Sequence, residues 1–385
     1  MKIAVIGAGM IGVSIAAEAA ARGAQVTLID QGAPGAGTSA VSYAWVNSNN
    51  KEPESYYELN LAGLEAHHRL AASGADWLRP TGHIEFATDP EHEVELQSRL
   101  ERLGELGYPA DKITPSYARE LVPDLLIPDS AGVVAYFPRE AHCYPSLYIR
   151  HQLRRARESG VKILSGVAVE NFREAPGGVR LGLSDGSTIL ADRVVSAAGR
   201  WTNTVTATAG FGPVMTEYQE PGDVTVGYLA VTNPLSTSID RLLTTPSLNI
   251  RPDGGGRLLL QALDLDGTAA PGADLRPDSS LADEFLSRLR KVLGNTDNAS
   301  VTELRVGVRA MPADGRSIIG PVASASWLYL VATHSGVTLA PFLGASVTAE
   351  IMGETEPLFA DFRPDRLLDN APAARLAAPR KPGQQ

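Results

Sequence analysis

Cysteine is almost absent from this chain, which has only Cys143 among its 385 residues. A single cysteine excludes a disulfide within the chain and any metal cluster built from cysteines, and it is typical of a reducing compartment. We therefore predict no metal site, and we expect Cys143 to be a small packed residue.

An excess of positive charge and long apolar runs are also missing. The 34 lysines and arginines are outnumbered by 44 aspartates and glutamates, which gives a net charge of -10. Because such a chain has no general basic surface, we expect no nucleic-acid partner. No run of about 18 uninterrupted apolar residues occurs, so the sequence predicts no transmembrane segment.

The first thirty residues carry the most informative pattern that is present. An apolar strand over 1–6 leads into a G-x-G-x-x-G turn over 7–12, an alanine-rich helix over 13–22 and a second strand over 24–30. This order predicts a βαβ unit that binds a dinucleotide. The glycine spacing also explains an apolar amino terminus that could be mistaken for a signal peptide, so we expect a cytoplasmic protein.

Each glycine of this turn, and the acid that follows it, has a physical task. Gly7 lets the chain turn off the strand, Gly9 lets the backbone approach a pyrophosphate, and Gly12 lets helix and sheet pack closely. The helix that opens there points its N–H groups at the phosphates. Asp30, at the end of the second strand, is placed to accept hydrogen bonds from a ribose diol.

Apolar periodicity predicts the elements that follow. Helices are expected over 55–73, 89–106, 148–159, 281–293 and 339–352, and strands over 81–88, 161–164, 167–169, 193–199 and 327–332. A hairpin over 179–190 has the Asp-Gly signal of a tight turn. Short β-rich segments with proline and glycine turns between 214 and 263 predict an inserted sheet domain.

A chain of this length favours two domains, interleaved along the sequence. We predict an α/β fold in which a Rossmann-like domain is combined with a mixed-sheet substrate domain. The dinucleotide-binding domain is assigned to 1–80, 145–212 and 300–368, the substrate domain to 81–144 and 213–299, and a disordered tail to 369–385.

Four ordered features resemble the FAD-dependent amino-acid oxidase family, which includes glycine oxidase, sarcosine oxidase and D-amino-acid dehydrogenases. The first is the glycine turn with Asp30, and the second is 35–39, similar to a Gly-x-Gly-x-Ser loop beside the flavin. The third joins 167–169 to 197–199. The fourth is 307–320, similar to Gly-x-Arg-Pro-x-x-x-Asp-Gly-x-x-x-x-Gly, with a flavin-facing loop over 333–341 downstream.

The resemblance implies FAD as the cofactor. The implied binding residues are Gly7, Gly9, Met10, Ile11, Gly12, Asp30, Gln31, Gly37, Thr38, Ser39, Val169, Ala198, Gly199, Trp201, His334, Ser335, Gly336, Val337 and Thr338. Some family members bind FAD covalently through a cysteine before the arginine motif or a histidine in the first flavin loop. Gly307 and Val41 stand near those positions, so we expect non-covalent FAD.

Arg309 and His334 are the candidate catalytic residues. A guanidinium forks onto a carboxylate with two parallel hydrogen bonds, and in the resembled family the matching arginine binds the substrate carboxylate. The alternative for Arg309 is a structural ion pair with Asp314 or another acid. His334 would touch the flavin edge or the substrate, or would be a satisfied structural histidine.

Aromatic and polar residues near these motifs are candidate walls of a substrate pocket. They are Trp45, Asn47, Tyr218 and Tyr228, together with Tyr43 and His83. The alternative for each aromatic residue is a place in the hydrophobic core.

The resemblance implies oxidation of a C–N bond in an amino acid, either a D-amino acid or an N-substituted glycine. A hydride would pass from carbon to the flavin N5, and the imine would then hydrolyse. The electron acceptor would be O2 or another carrier. Two alternatives stay open: a flavin oxidoreductase acting on a specialised amine intermediate, and a flavin-binding protein without turnover.

Overall fold

The computed structural model describes residues 1–72, 74–368 and 376–381. The helices α1 to α9 span Met10–Ala21, Glu54–Ala71, Pro90–Glu105, Pro115–Leu121, Pro145–Glu158, Thr202–Thr208, Ser280–Val292, Gly336–Ile351 and Asp365–Leu368. The strands β1 to β20 span Lys2–Ile6, Gln25–Asp30, Trp45–Val46, Leu78–Arg79, His83–Ala87, Asp111–Lys112, Val133–Phe137, Ala141–Cys143, Lys162–Ser165, Val169–Ala175, Gly178–Leu183, Thr188–Ala191, Arg193–Ser196, Val226–Thr232, Leu242–Thr244, Asn249–Gly254, Arg257–Gln261, Val301–Val308, Ile318–Val322 and Ala325–Ala332. Short 3₁₀ turns span Thr38–Val41, Gly199–Trp201, Leu263–Thr268 and Pro357–Phe362.

The first sheet has the order β19–β20–β13–β1–β2–β9. Its strands are parallel except β19, which pairs antiparallel with β20. Because successive side chains of a strand point to opposite faces, Ile3 and Val5 pack with α1, α5 and α8. Ala4 and Ile6 pack on the other face against the small sheet β10–β11–β12. Both faces are therefore covered, as a parallel sheet requires.

The second sheet has the order β18–β14–β17–β16–β15–β5–β7–β6. It is mixed, because β15 pairs parallel with β5 while the neighbouring pairs are antiparallel. Helix α7 lies against this sheet through a buried stripe that includes Phe285 and Leu289. The predicted α/β fold with a mixed second sheet is confirmed by this architecture.

Among the boundaries that differ from the expectation, two bear on the site. The strand Val301–Val308 lies in the second sheet, although we assigned residues from 300 onward to the dinucleotide-binding domain. Helix α8 begins at Gly336 rather than at 339, because the predicted loop already contains its first turn. The division into domains otherwise stays a prediction.

Two remaining expectations concern the tail and the membrane. The predicted disordered tail over 369–385 lies outside the described residues except for 376–381, where no helix or strand is present. Among the described residues, no helix combines the length and apolar composition that a membrane crossing requires.

Candidate active site

A cavity of about 330 Å³ lies at the carboxyl ends of β1, β2 and β13. Six separate segments of the chain line it, and all of them except Ala310 carry residues that the sequence predicted as cofactor ligands. These are Gly7, Gly9, Met10, Ile11, Asp30, Gln31, Gly37, Thr38, Ser39, Val169, Ala198, Gly199, Trp201, His334, Gly336 and Val337. The carboxyl edge of a parallel sheet is where such folds bind nucleotides.

The glycine turn has the geometry that close ligand approach requires. Gly7 has a φ of +100°, which side-chain-bearing residues rarely adopt. A Cβ at Gly12 would overlap the carbonyl oxygen of Gly7, so Gly12 allows α1 to pack on the turn. A Cβ at Gly9 would meet only the Ser39 hydroxyl at 3.2 Å, so Gly9 leaves the cavity side of the turn open.

Asp30 closes the turn from the end of β2. Its carboxylate accepts hydrogen bonds from the backbone N–H of Ala8 at 2.6 Å and of Gly32 at 2.8 Å. It also lines the cavity. A carboxylate has about four lone-pair sites, so the two remaining ones can accept from a ribose diol.

Two helix N-termini reach this cavity. Neither Gly9, which precedes α1, nor Ser335, which precedes α8, supplies a side-chain cap to its helix. The first-turn N–H groups therefore add their partial positive charge to the cavity wall. Phosphates and a negatively charged ring edge are the groups such ends stabilise. With its glycine cradle, acid and helix ends, the cavity fits a dinucleotide such as FAD.

A second, smaller cavity of about 130 Å³ adjoins the first. Four residues line both cavities: Thr38, Ser42, His334 and Val337. The remaining walls come from the second sheet and the residues that follow β17 and β18, from the segment 41–45, from the start of α8 and from Pro379. They include Val41, Tyr43, Trp45, Gly227, Tyr228, Leu229, Gln261, Leu263, Gly307, Val308, Arg309, Ser335 and Thr338. Ser335 and Thr338, which were predicted to contact the cofactor, thus face the smaller cavity.

Arg309 follows β18 and lines the smaller cavity. Its guanidinium forms an ion pair with Asp266 at 3.1 Å, while Asp314 pairs with Arg366 and Arg316 instead. Burial lowers the pKa of Arg309, and the charge of Asp266 opposes that effect. Arg309 therefore forms a structural ion pair, with Asp266 rather than Asp314, and it also lines the smaller cavity; its binding of a substrate carboxylate stays a prediction.

His334 stands at the junction of the two cavities. Burial lowers its pKa to about 3, and the charges of Lys51 and Arg309 act in the same direction. The imidazole is therefore neutral at physiological pH. A group whose conjugate acid is so strong is a poor general base, so its position favours a contact role.

Trp45 is the best supported of the predicted pocket walls. Its indole N–H donates to Glu140 at 2.9 Å, and Glu140 also accepts from the Tyr108 hydroxyl at 2.9 Å. Glu140 is fully buried, and His83 lies 3.1 Å from it. This network fixes the indole ring, and it explains why His83 lies behind Trp45 rather than in the cavity.

Of the other predicted walls, two line the smaller cavity and two do not. Tyr43 and Tyr228 line the smaller cavity. Asn47 is buried just outside it, with its backbone N–H 3.4 Å from the Thr338 hydroxyl. Tyr218 is 37% exposed and lines neither cavity, so the structure does not place it in the pocket.

Asp266 and Gln261 were not found from the sequence. Gln261 lines the cavity from β17, and Asp266 reaches Arg309 from a 3₁₀ turn 43 residues before it in the chain. Neither residue belongs to a motif. The only local signal was a glycine inside a strand, Gly227, which often marks a close approach of another group.

Comparisons with known proteins identify the family of the chain. A family model described as FAD dependent oxidoreductase matches residues 2–350. The chain is 25% identical over 383 residues to the uncharacterized oxidoreductase YurR of Bacillus subtilis (strain 168), covering 92% of this chain and 95% of that protein. It is 24% identical over 369 residues to glycine oxidase of Geobacillus kaustophilus (strain HTA426), covering 93% and 94%.

Solved structures show the same fold. The crystal structure of glycine oxidase from Geobacillus kaustophilus matches with a TM-score of 0.82, at 22% identity, over 94% of this chain and 97% of that chain. L-proline dehydrogenase from P. horikoshii matches with a TM-score of 0.80, at 23% identity, over 95% and 97%. Because the family model covers nearly the whole chain, this protein belongs to the FAD dependent oxidoreductase family.

Proposed function

We propose that this enzyme oxidises the C–N bond of an amino acid, either a D-amino acid or an N-substituted glycine. The observation that carries the proposal is the position of Arg309. Its guanidinium lines a small cavity that shares Thr38, Ser42, His334 and Val337 with the FAD cavity. A carboxylate bound there would hold the α-carbon beside the cofactor.

The chemistry comes from the cofactor and the geometry comes from the chain. FAD held in this cavity would supply a hydride acceptor for the carbon next to nitrogen, and hydrolysis of the imine would then give a carbonyl compound and ammonia or an amine. Arg309 would orient the carboxylate, and the walls Tyr43, Trp45 and Tyr228 would exclude water from the C–H bond. The neutral His334 would contact the cofactor edge or the substrate.

The N-terminus of α8 has a separate task in this proposal. Gly336 and Val337 line the FAD cavity at the start of an uncapped helix. The hydroxyl of Tyr56 lies 2.7 Å from that of Ser335, which fixes the residue before the helix. This helix end would stabilise negative charge that develops on the reduced cofactor.

A second candidate is an amine without a carboxylate, such as a specialised biosynthetic intermediate. The observation that favours it is the Arg309–Asp266 ion pair, because a guanidinium already paired with an acid is a weaker anion site. Two similar proteins, a glycine oxidase and a 4-methylaminobutanoate oxidase, are named for substrates that both carry a carboxylate, which supports the first candidate.

The test is anaerobic mixing of the purified holoenzyme with D-amino acids, glycine, sarcosine, proline and larger N-carboxymethyl amines. Loss of the oxidised-flavin absorbance with one of these classes would support the proposal. Readmitting air would then distinguish O2 from another electron acceptor. If no amino acid reduces the flavin but a simple amine does, the second candidate is correct; if nothing reduces it, a role without turnover gains support.

A matched pair of arginine variants tests the role of Arg309. Arg309→Lys keeps the charge beside Asp266 but loses the planar fork, so flavin reduction should slow by about 10- to 100-fold. Arg305→Gln is the control, because Arg305 lies on β18, four residues before Arg309, and pairs with Glu303 at the surface. Equal rates in Arg309→Lys and wild type would show that Arg309 does not bind the substrate.

A further inference from the structure

The Arg309 guanidinium is held by the chain at several points. Nη1 donates to the carbonyl oxygen of Val224 at 3.1 Å and also to that of Val226. Nη2 donates to Asp266 at 3.1 Å. Among the described residues, Nε has no hydrogen-bond partner. The side chain is 12% exposed, so only a small edge of the guanidinium is left for a ligand.

Asp266 is itself fixed and lies out of reach of a ligand. It is fully buried in the 3₁₀ turn Leu263–Thr268 and does not line the cavity. One of its oxygens accepts from the backbone N–H of Tyr228 at 2.7 Å, and the other accepts from Arg309. The acid therefore stands behind the arginine rather than beside the substrate.

The second sheet makes room for this pair with a glycine. A Cβ on Gly227 would lie 2.6 Å from the carboxylate of Asp266 and would overlap Nη2 of Arg309. Gly227 is paired with Gly307 on β18, so the sheet surface has no side chain on either strand at that point. Any other residue at 227 would separate the two charges, which makes the pair a built feature of the site.

The pair changes the electrostatics of the pocket. A lone buried guanidinium attracts every carboxylate, whereas a guanidinium with a fixed acid behind it presents much less positive charge. The charges of Arg380 and Asp223 also act on Arg309, in opposite directions. Hydrogen bonds from its free edge would still orient a carboxylate. A net-neutral site prefers a ligand that is itself net-neutral, such as an amino acid in its zwitterionic form.

We propose that Asp266 is a specificity-determining positioning residue. This inference rests on the proposed amino-acid oxidation. It holds the Arg309 fork in place and balances its charge, so that the pocket selects zwitterionic monocarboxylic amino acids. Dicarboxylic amino acids and simple carboxylates, which carry surplus negative charge, are bound poorly.

Two isosteric probes measure the charge that the pocket presents. Benzoate and benzamide differ in charge and little in shape, and the binding of each to the holoenzyme can be followed by the flavin absorbance spectrum. Asp266→Asn keeps the volume of the side chain and an oxygen for the Tyr228 N–H. Asp264→Asn is the control, because Asp264 lies on the same 3₁₀ turn but pairs with Arg288 at the surface.

The expected result is that Asp266→Asn tightens benzoate binding by roughly 10- to 100-fold, while benzamide binding stays close to wild type. The rate of flavin reduction by a zwitterionic amino acid should fall in the same variant, because the guanidinium is less well oriented. Asp264→Asn should change neither ligand. Tighter inhibitor binding with slower reduction is a combination that mere loss of stability does not produce.

If Asp266→Asn does not bind FAD, Arg309→Gln tests the same charge balance by removing the positive partner of the pair. It leaves the Asp266 charge unbalanced, so benzoate should lose much more affinity than benzamide. An unchanged ratio of benzoate to benzamide affinity in either variant would overturn the proposal, as would the absence of any spectral change with benzoate. Because ligand binding is measured without turnover, these outcomes are separate from a failure of the proposed oxidation.

Discussion

The Nε2 atom of His67 lies 2.8 Å from the carbonyl oxygen of Val337, the oxygen that Pro341 leaves without its helical donor. In an α-helix this carbonyl would accept a hydrogen bond from the backbone N–H of the residue four positions later. That residue is Pro341, and proline has no backbone N–H. His67 on α2 supplies the missing donor, so Nε2 carries the proton. This hydrogen bond lies in the first turns of α8, beside the FAD cavity.

Removing this donor should destabilise the helix end. His67→Ala leaves the Val337 carbonyl buried without a partner, which costs about 1–3 kcal/mol in the free energy of unfolding. Pro341→Ala restores the backbone N–H, so the double variant His67→Ala, Pro341→Ala should be more stable than the sum of the single changes predicts. Urea unfolding of the four proteins measures this coupling.

His68→Ala is the control for that cycle, because His68 is the next residue on α2 and bonds the carbonyl of Arg139 at 2.8 Å instead. It should show no coupling with Pro341→Ala. Strict additivity of His67→Ala and Pro341→Ala would mean that the histidine does not replace the missing helical bond.

The glycine turn gives a second prediction, in which two adjacent substitutions separate folding from cofactor binding. Gly12→Ala should disrupt the turn itself, because its Cβ would overlap the Gly7 carbonyl. The Cβ of Gly9→Ala meets only the Ser39 hydroxyl, so the chain should fold but bind FAD more weakly where the backbone meets the pyrophosphate. Circular dichroism and FAD titration read the two effects.

Gly104→Ala controls for the added methyl group. Gly104 lies in α3 with no atom within 4 Å of an added Cβ, so alanine there should stabilise by about 0.5–1 kcal/mol and leave FAD binding unchanged. If Gly9→Ala loses its fold to the same extent as Gly12→Ala, and loses FAD binding with it, Gly9 has a structural task like that of Gly12.

The cofactor cradle could be predicted from the sequence because its parts are local. Gly7, Gly9 and Gly12 act within one turn, and Asp30 is tied to them by a single βα crossover, so spacing alone indicates their tasks. Arg309 could be recognised through its motif. Its partner Asp266 could not, because an ion pair between a 3₁₀ turn and a strand end depends on how distant segments pack.

The domain boundary near 300 shows the same limit. The strand Val301–Val308 runs directly into the Arg309 motif, and sequence continuity suggested that both belonged to the first domain. Its hydrogen bonds go instead to β14 in the second sheet. Tyr218 was a candidate pocket wall as an aromatic residue, but the direction of a loop side chain is set by tertiary contacts that the pattern does not contain.

His142 gives a prediction on acid stability. It is fully buried on β8 with neither ring nitrogen hydrogen-bonded among the described residues, and burial lowers its pKa to about 3. The unfolded value is about 6.5, so the unfolded chain binds the proton first as the pH falls. The contribution of neutral His142 to the free energy of unfolding is therefore fully present above about pH 6.5. It is lost progressively as the pH falls from there toward 3.

His142→Leu should therefore remove part of the pH dependence. Between pH 8 and pH 5, wild type should lose about 2 kcal/mol of unfolding free energy through this residue alone, and the leucine variant should not. The variant should also be at least as stable as wild type at pH 8, because two unpaired buried nitrogens are removed. Urea unfolding at both pH values tests this; parallel losses in the two proteins would contradict it.

The last prediction concerns the buried ion cluster that fastens α3 to the second sheet. Glu85 on β5 is fully buried and accepts two hydrogen bonds from Arg99, at 2.8 and 2.9 Å, and one from His92 at 2.9 Å. Burial alone would raise the pKa of Glu85, but the Arg99 charge and these hydrogen bonds hold it at about 2. The carboxylate is therefore ionised at neutral pH.

Replacing one partner of the Glu85–Arg99 pair should lower the free energy of unfolding far more than replacing both partners. Arg99→Met leaves the Glu85 charge buried without its main partner, which should lower the free energy of unfolding by about 3–5 kcal/mol. The double variant Glu85→Leu, Arg99→Met removes both charges and should recover most of that loss, since a buried pair gains little over apolar residues of similar volume. If the double variant is as unstable as Arg99→Met, the cluster contributes through packing geometry rather than through compensation of a buried charge.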